Sequence, residues 1–283
     1  MPRFVKRVRF ALVCLLWLAL AVPIAAQAQF TGRIYNPPRT PLSLDHLGPT
    51  ARLLKVQSED GLALTGILIP PRDKPMLLVL HGSGASADDV GAWLGPLAER
   101  GYGLMLVEYR GFAGNPGRPS QRGLAMDARV FLREARVLFP DRHLFVLGHS
   151  LGGGVAFDLA LTEPIDALVT IGTFIGLREI APPIARPFIK DRYDNIAALA
   201  KLKPELRYYL LHGTADEVIP TGNAARLHNL AVTRKQAGAS FILEGQRHRP
   251  DASLIAGVLD FIVDVDAGKQ SSLPAGVRIA PFR

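Results

Sequence analysis

Cysteine is what the sequence lacks most: among 283 residues there is one, Cys14. It sits inside an N-terminal apolar run that we expect to be removed, which leaves no thiol in the mature chain. A disulfide framework, a thiolate metal site and a cysteine nucleophile are thereby excluded. A long hydrophobic run is also missing. The apolar stretch Phe10 to Val22 is shorter than the ~20 residues a membrane-spanning helix needs, and Pro23 ends it. Acidic residues are absent from the first 28 positions, whereas Arg3, Lys6, Arg7 and Arg9 stand ahead of the apolar run and Ala26-Gln27-Ala28 follows it. This is the pattern of a secretory signal peptide over residues 1–28, cleaved after Ala28. It predicts an exported protein, periplasmic or secreted, with no stable membrane anchor after cleavage; an uncleaved anchor is the alternative.

That segment carries four basic and no acidic side chains, so its removal lowers the formal charge from +8 to +4. The remaining excess does not point to nucleic acid as a partner. Repeats and linkers are missing as well, and the remaining length suits one domain with one sizeable core.

What is present is an alternation. Residues 29–50 are proline-rich and unpatterned and read as a leader on the surface. Arg52–Val56 and Leu62–Ile69 flank Glu59-Asp60-Gly61, a strand–turn–strand signal. Apolar runs then recur at Met76–Leu80, Tyr102–Val107, His143–Leu147, Ala167–Ile171, Arg207–Leu211 and Ser240–Leu243. Between and after them come helical patterns at about 88–100, 121–139 (with Ser120 as N-cap), 153–161, 223–232 and 251–265. Continuous apolar strands separated by helices predict an α/β fold: a mostly parallel sheet with helices on both faces. We therefore expect one domain over 51–268, an insertion at 174–205, and a loosely attached tail at 269–283.

In such a sheet functional groups collect at the C-terminal ends of the strands. Gly148-His149-Ser150-Leu151-Gly152 follows one of them and opens a helix. A serine on so tight a turn is crowded by residues two positions away, and glycine there removes the clashing Cβ atoms. Ser150 is the expected nucleophile. Asp216 after a later strand is the expected acid, with Glu217 its neighbouring rival. His248 after the last strand is the expected base, since His228 falls within a helical stretch read as a solvated face. His81-Gly82-Ser83-Gly84 supplies a flexible loop for an oxyanion hole formed by the backbone N–H groups of Ser83 and Leu151, with Gly84 the alternative to Ser83. His81 reads as a packed structural imidazole, and Arg110 with Asp127 as a buried pair.

Taken together, these segments resemble a known family. His81-Gly82-Ser83-Gly84, Tyr109-Arg110-Gly111-Phe112 with Asn115-Pro116-Gly117, the Ser150 pentapeptide, Asp191-Arg192-Tyr193-Asp194-Asn195, His212-Gly213-Thr214-Ala215-Asp216 with Val218-Ile219-Pro220, and His248 look like the α/β-hydrolase fold. The branch is that of the serine-aminopeptidase-like abhydrolases, and the likeness spans roughly residues 50 to 265. It implies Ser150, Asp216 and His248 as a triad, and the 174–205 insertion as a lid. Glu108 departs from the usual Asp before Tyr-Arg-Gly, and Ser83 from the frequent Asn.

The expected activity is a serine hydrolase cleaving acyl esters through an acyl-enzyme, with a small-molecule ester as substrate and neither cofactor nor metal. An amidase, peptidase or thioesterase on the same residues is the alternative, and a binding protein without turnover is the rival from another class. Pro182, Pro183, Pro187 and Pro204 forbid one long helix in the insertion. So short a cover suits soluble substrates with short or medium acyl chains. Ile175, Leu177, Ile180, Ile184, Phe188 and Ile189 either line an acyl pocket or pack the lid down. Arg178 and Arg186 are an option for recognising a substrate carboxylate.

Overall fold

The computed structural model describes residues 34–181, 183 and 186–283, with the backbone alone at Phe188. The expected signal peptide and its cleavage site lie outside them, as do Pro182 and Ile184 of the insertion and the Phe188 side chain.

Among the described residues, nine strands form one sheet. They are β1 (Arg52–Gln57), β2 (Ala63–Ile69), β3 (Met76–Leu80), β4 (Gly103–Leu106), β5 (Leu144–His149), β6 (Ala167–Ile171), β7 (Arg207–Gly213), β8 (Gly238–Leu243) and β9 (Val277–Pro281). Their order is β1-β2-β4-β3-β5-β6-β7-β8-β9. The strands from β3 to β8 run parallel, and β1–β2, β2–β4 and β8–β9 pair antiparallel. The wholly apolar runs have no polar face to give to water, so they occupy the middle, where both faces are covered. Alternate residues of β3 enter opposite cores, Met76, Leu78 and Leu80 on one side and Leu77 and Val79 on the other.

The helices are α1 (Ala87–Trp93), α2 (Gly95–Glu99), α3 (Gln121–Leu138), α4 (Leu151–Thr162), α5 (Leu177–Ile180), α6 (Asn195–Leu199), α7 (Gly222–Thr233) and α8 (Ala252–Asp266). Helices α3 and α4 cover one face, and α1, α2 and α8 the other. The single helix expected at 88–100 is two, because Pro96 has no N–H to continue the ladder and the helix restarts at Gly95. Ser120 caps α3 by accepting from the Gly123 N–H at 3.1 Å, and Asp251 caps α8 through Leu254 N–H at 2.9 Å. Arg110 and Asp127 form the expected buried pair, which Asp60 and Ser58 extend.

The segment after residue 34 has no strand and lies mostly on the surface, as expected, but it is pinned there: Tyr35 is 2% exposed, and the half-buried Leu42, Leu44 and Leu47 pack against the α1–α2–α8 core. The other end of the chain corrects the sequence reading. The tail is not loose. Val277–Pro281 adds a ninth strand to β8, and Phe282, 2% exposed, stacks on Tyr208. An edge strand needs only one partner and half a buried face, so its own five residues carry little periodic signal.

Candidate active site

Ser150 sits between β5 and α4 at φ 54, ψ −116, a left-handed backbone that a non-glycine residue rarely adopts. Its surroundings allow nothing else. A Cβ on Gly148 would lie 2.4 Å from the Gly152 carbonyl oxygen, and one on Gly152 would lie 2.0 Å from that of Leu80. The Ser150 N–H donates to Ile171 O at 2.9 Å, and its own carbonyl accepts from Gly153 N–H and the Thr173 hydroxyl, each at 3.0 Å. The nucleophile candidate is thus fixed by backbone on every side. Its side chain is half-exposed, and among the described residues Ser150 Oγ makes no hydrogen bond.

The structure brings Asp216 and His248 together. His248 Nδ1 is 3.0 Å from both carboxylate oxygens of Asp216, which is fully buried. Oδ1 of Asp216 also accepts the N–H groups of Val218 at 2.9 Å and Ile219 at 2.8 Å, so the buried charge is well solvated by donors. Glu217 is engaged elsewhere: its own backbone N–H, then the Arg247 guanidinium and the His248 backbone N–H, donate to its carboxylate and hold it down at about 2. Of the two neighbouring acids, Asp216 is the one paired with the ring. An Nδ1–H donated to that carboxylate leaves Nε2 with a free lone pair, the state a general base needs.

Three residues that the sequence reading passed over complete the arrangement. Gly172, at the end of β6 with φ 56, has no Cβ; one there would lie 3.2 Å from both Asp216 Oδ2 and His248 Nδ1. His149, the second residue of the pentapeptide, donates from Nε2 to the His248 carbonyl at 2.9 Å, with the two rings 4.8 Å apart. Burial, followed by the neighbouring His248, pushes the His149 imidazole down to about 3, so it stays neutral and serves as a fixed donor. Thr173 is the third, through its bond to Ser150 O. A left-handed glycine directly after an apolar strand was the one local signal available for any of them.

Opposite Ser150 lies the glycine loop after β3. A Cβ on Gly82 would stand 3.4 Å from Ser150 Cβ, so the loop passes directly over the elbow. His81, 1% exposed, is packed as expected. Its Nδ1 donates to Gly82 O at 2.9 Å, and its Nε2 meets Glu108 Oε1 at 2.9 Å. Glu108, which stands where an Asp was expected, is fully buried and also accepts from the Ala87 and Tyr109 N–H groups. The N–H groups of Ser83, Gly84 and Leu151 donate to nothing among the described residues.

The chain matches the family model for serine aminopeptidase S33 over residues 71–207. It is 31% identical over 216 residues to the uncharacterized protein Rv2307c of Mycobacterium tuberculosis, covering 72% of this chain and 75% of that one. The chain belongs to the α/β-hydrolase family. The lysophosphatidylserine lipase ABHD12 of Gallus gallus is a more distant relative, 28% identical over 218 residues, covering 67% of this chain and 55% of its own. Among solved structures, an α/β-hydrolase from Vibrio vulnificus superposes with a TM-score of 0.67 at 22% identity, over 83% of this chain and 91% of that one. The esterase Pf2001 of Pyrococcus furiosus reaches 0.60 at 16% identity, over 80% or more of each chain (82% and 94%). Both likenesses are of fold.

In this α/β-hydrolase the insertion is built from short pieces: α5, a 3₁₀ turn at Arg186–Phe188, and α6. Ile175, Leu177 and Ile189 are buried in the α3–α4 core and pack the insertion down, whereas Ile180 is exposed. Arg178 donates to the Ile189 carbonyl, and Arg186 to that of Ala181 at 3.2 Å, so both guanidinium groups brace backbone. His228 does not lie on a solvated face: its Nδ1 meets Ser240 Oγ at 2.9 Å and its ring packs on Phe282. Among the described residues, no group of three or more His, Cys, Asp or Glu is placed to hold a metal ion, and no helix is long and apolar enough to cross a membrane.

Proposed function

We propose that the protein is a serine hydrolase of acyl esters. Ser150 Oγ attacks the ester carbonyl carbon while His248 Nε2 takes its proton. Asp216 holds the imidazole in the required tautomer and offsets the charge it gains. The N–H groups of Ser83 and Leu151 receive the developing oxyanion. Collapse expels the alcohol with the proton from His248 and leaves an acyl-Ser150 ester. Water, deprotonated by the same His248, then releases the acid.

One observation carries this reading: Ile171 O takes the N–H of a serine held at φ 54, and the very next residue, Gly172, lies against the Asp216–His248 pair, whose atoms are 3.0 Å apart. The open Ser150 Oγ is consistent with it, because such contacts tighten when substrate arrives. The kinship with an esterase fold and with a lipase favours an ester over an amide.

The insertion is short and its buried apolar residues pack downward, which favours soluble esters of short or medium acyl chain. The relationship to the ABHD12 lipase favours a second reading, the monoacyl ester of a lysophospholipid. Rates on p-nitrophenyl esters of increasing length separate the two. A maximum at butyrate to octanoate supports the first, and a maximum at palmitate with a jump above its critical micelle concentration supports the second. Labelling of wild type, but not Ser150→Ala, by a fluorophosphonate tests the nucleophile.

We also propose export, on the pattern of residues 1–28. N-terminal sequencing of the mature protein is expected to begin at Gln29; retention of Met1 defeats it.

A further inference from the structure

Ser83 lies between Gly82 and Gly84, so the backbone that would present an oxyanion donor has no side chain on either side to hold it. Hydrogen bonds hold it instead, beginning with a turn bond from the Ala85 N–H to Gly82 O at 3.4 Å. From the interior, His81 Nδ1 donates to Gly82 O at 2.9 Å. From the other side, the backbone N–H of Asn36 donates to Ser83 O at 3.0 Å. A trans peptide unit points its C=O and N–H in opposite directions. Fixing Gly82 O inward therefore turns the Ser83 N–H the other way, and fixing Ser83 O on Asn36 sets the next peptide plane.

Asn36 belongs to a segment anchored at both ends. Ahead of it, the Tyr35 hydroxyl donates to Asp191 at 2.9 Å and lies 3.0 Å from the Tyr193 hydroxyl. Behind it, Pro38 O accepts the Ala113 N–H at 2.8 Å. Pro37 and Pro38 stiffen the stretch between, which lowers the entropy lost in holding it. Tyr193 also closes on the elbow helix: a Cβ on Gly154 of α4 would stand 2.7 Å from its ring. Its N–H and that of Arg192 both donate to Gln121 Oε1. Burial raises both phenols well above their ordinary range, so neither ionises at working pH.

We infer that Tyr35–Pro38 is a strap that fixes the oxyanion loop against the insertion, and that Tyr35, acting through Asn36 and Ser83, is a positioning residue for the reaction. The inference rests on the proposed reading of Ser83 as an oxyanion donor.

Tyr35→Phe and Asn36→Pro, made in the full chain, test it; the first keeps the ring and the second deletes the donating N–H. An oxyanion contact exists only in the transition state, so kcat and kcat/KM fall together, leaving KM within about twofold. We expect a loss of about tenfold, below the ~10²-fold or more that removing an oxyanion donor costs. Affinity for an alkyl boronic acid, which forms a tetrahedral adduct on the serine, falls in parallel. Tyr208→Phe removes an equally buried phenol, bonded to Thr170 at 3.1 Å in the core, and serves as the packing control. If Tyr208→Phe lowers kcat and boronate affinity as much as Tyr35→Phe does, the effect is general loosening and the strap is overturned. It is overturned too if Tyr35→Phe matches wild type within about twofold while wild type is labelled by fluorophosphonate. Wild type that is never labelled removes the hydrolase reading, and this inference with it.

Discussion

The elbow and the insertion hold their shape by different means. Between β5 and α4 the chain is fixed by lack of room: the Cβ positions of Gly148, Gly152, Gly153 and Gly154 are taken by backbone or by Thr173 and Tyr193. The insertion also buries Ile175, Ile189 and Tyr193, but its backbone is held by polar ties, with Arg178 on Ile189 O, Gln121 on Arg192 and Tyr193, and Asn195 on Phe174 O at 2.7 Å. A region fixed by exclusion fails abruptly when an atom is added. A region fixed by ties loses them one at a time, each worth ~1 kcal/mol. The elbow is therefore suited to holding a nucleophile, and the insertion to varying what reaches it.

The largest effect expected is at the strained serine. Ser150→Ala or Ser150→Gly should lower turnover by ~10⁴-fold or more. Because φ 54 costs glycine nothing, Ser150→Gly should melt above Ser150→Ala in a thermal scan. Equal melting temperatures would mean that the elbow is not strained. Next is Gly152→Ala, whose methyl has no space: stability should fall by about 3–5 kcal/mol in denaturant titration, or soluble protein be lost altogether.

The third effect concerns His149. Its imidazole binds a proton at about 3 in the folded chain, against an ordinary 6.5. Between these values the unfolded chain holds more protons, so this contribution is complete above about pH 6.5 and is lost as pH falls toward 3. His149→Gln, whose amide nitrogen reaches the Nε2 position, retains a donor for His248 O and should flatten the decline in stability between pH 7 and 4 relative to wild type; an unchanged slope sinks the assignment. The smallest effect is on the other side of the comparison. Arg178→Ala should cost ~1 kcal/mol and leave turnover within a few-fold, as should His228→Ala.

How much of this could be read in the sequence depended on how local each cause is. Met76–Leu80 and Ala167–Ile171 are strands at the expected bounds because continuous apolar runs can only sit mid-sheet. Ser150, Asp216 and His248 stand out as candidates because each lies just past such a run, and the structure sets the last two against each other. What the sequence hid was made by distant partners. Tyr35 is buried by residues more than 150 positions away, β9 exists because β8 offers an edge, and Gly172 is required by a pair not yet in sight along the chain. The break at Leu94, by contrast, has a local cause in Pro96.

The two outermost strands bear on how the molecule behaves in a crowd. β1 carries Arg52 and Lys55, and β9 carries Arg278, paired with Glu244 at 2.7 Å, and ends on Pro281, which has no N–H to offer. Charge and proline are what keep a sheet edge from templating a strand of another chain. Among the described residues both flanks of the nine-stranded sheet bear such guards, which disfavour either open edge as a template along which copies could polymerise.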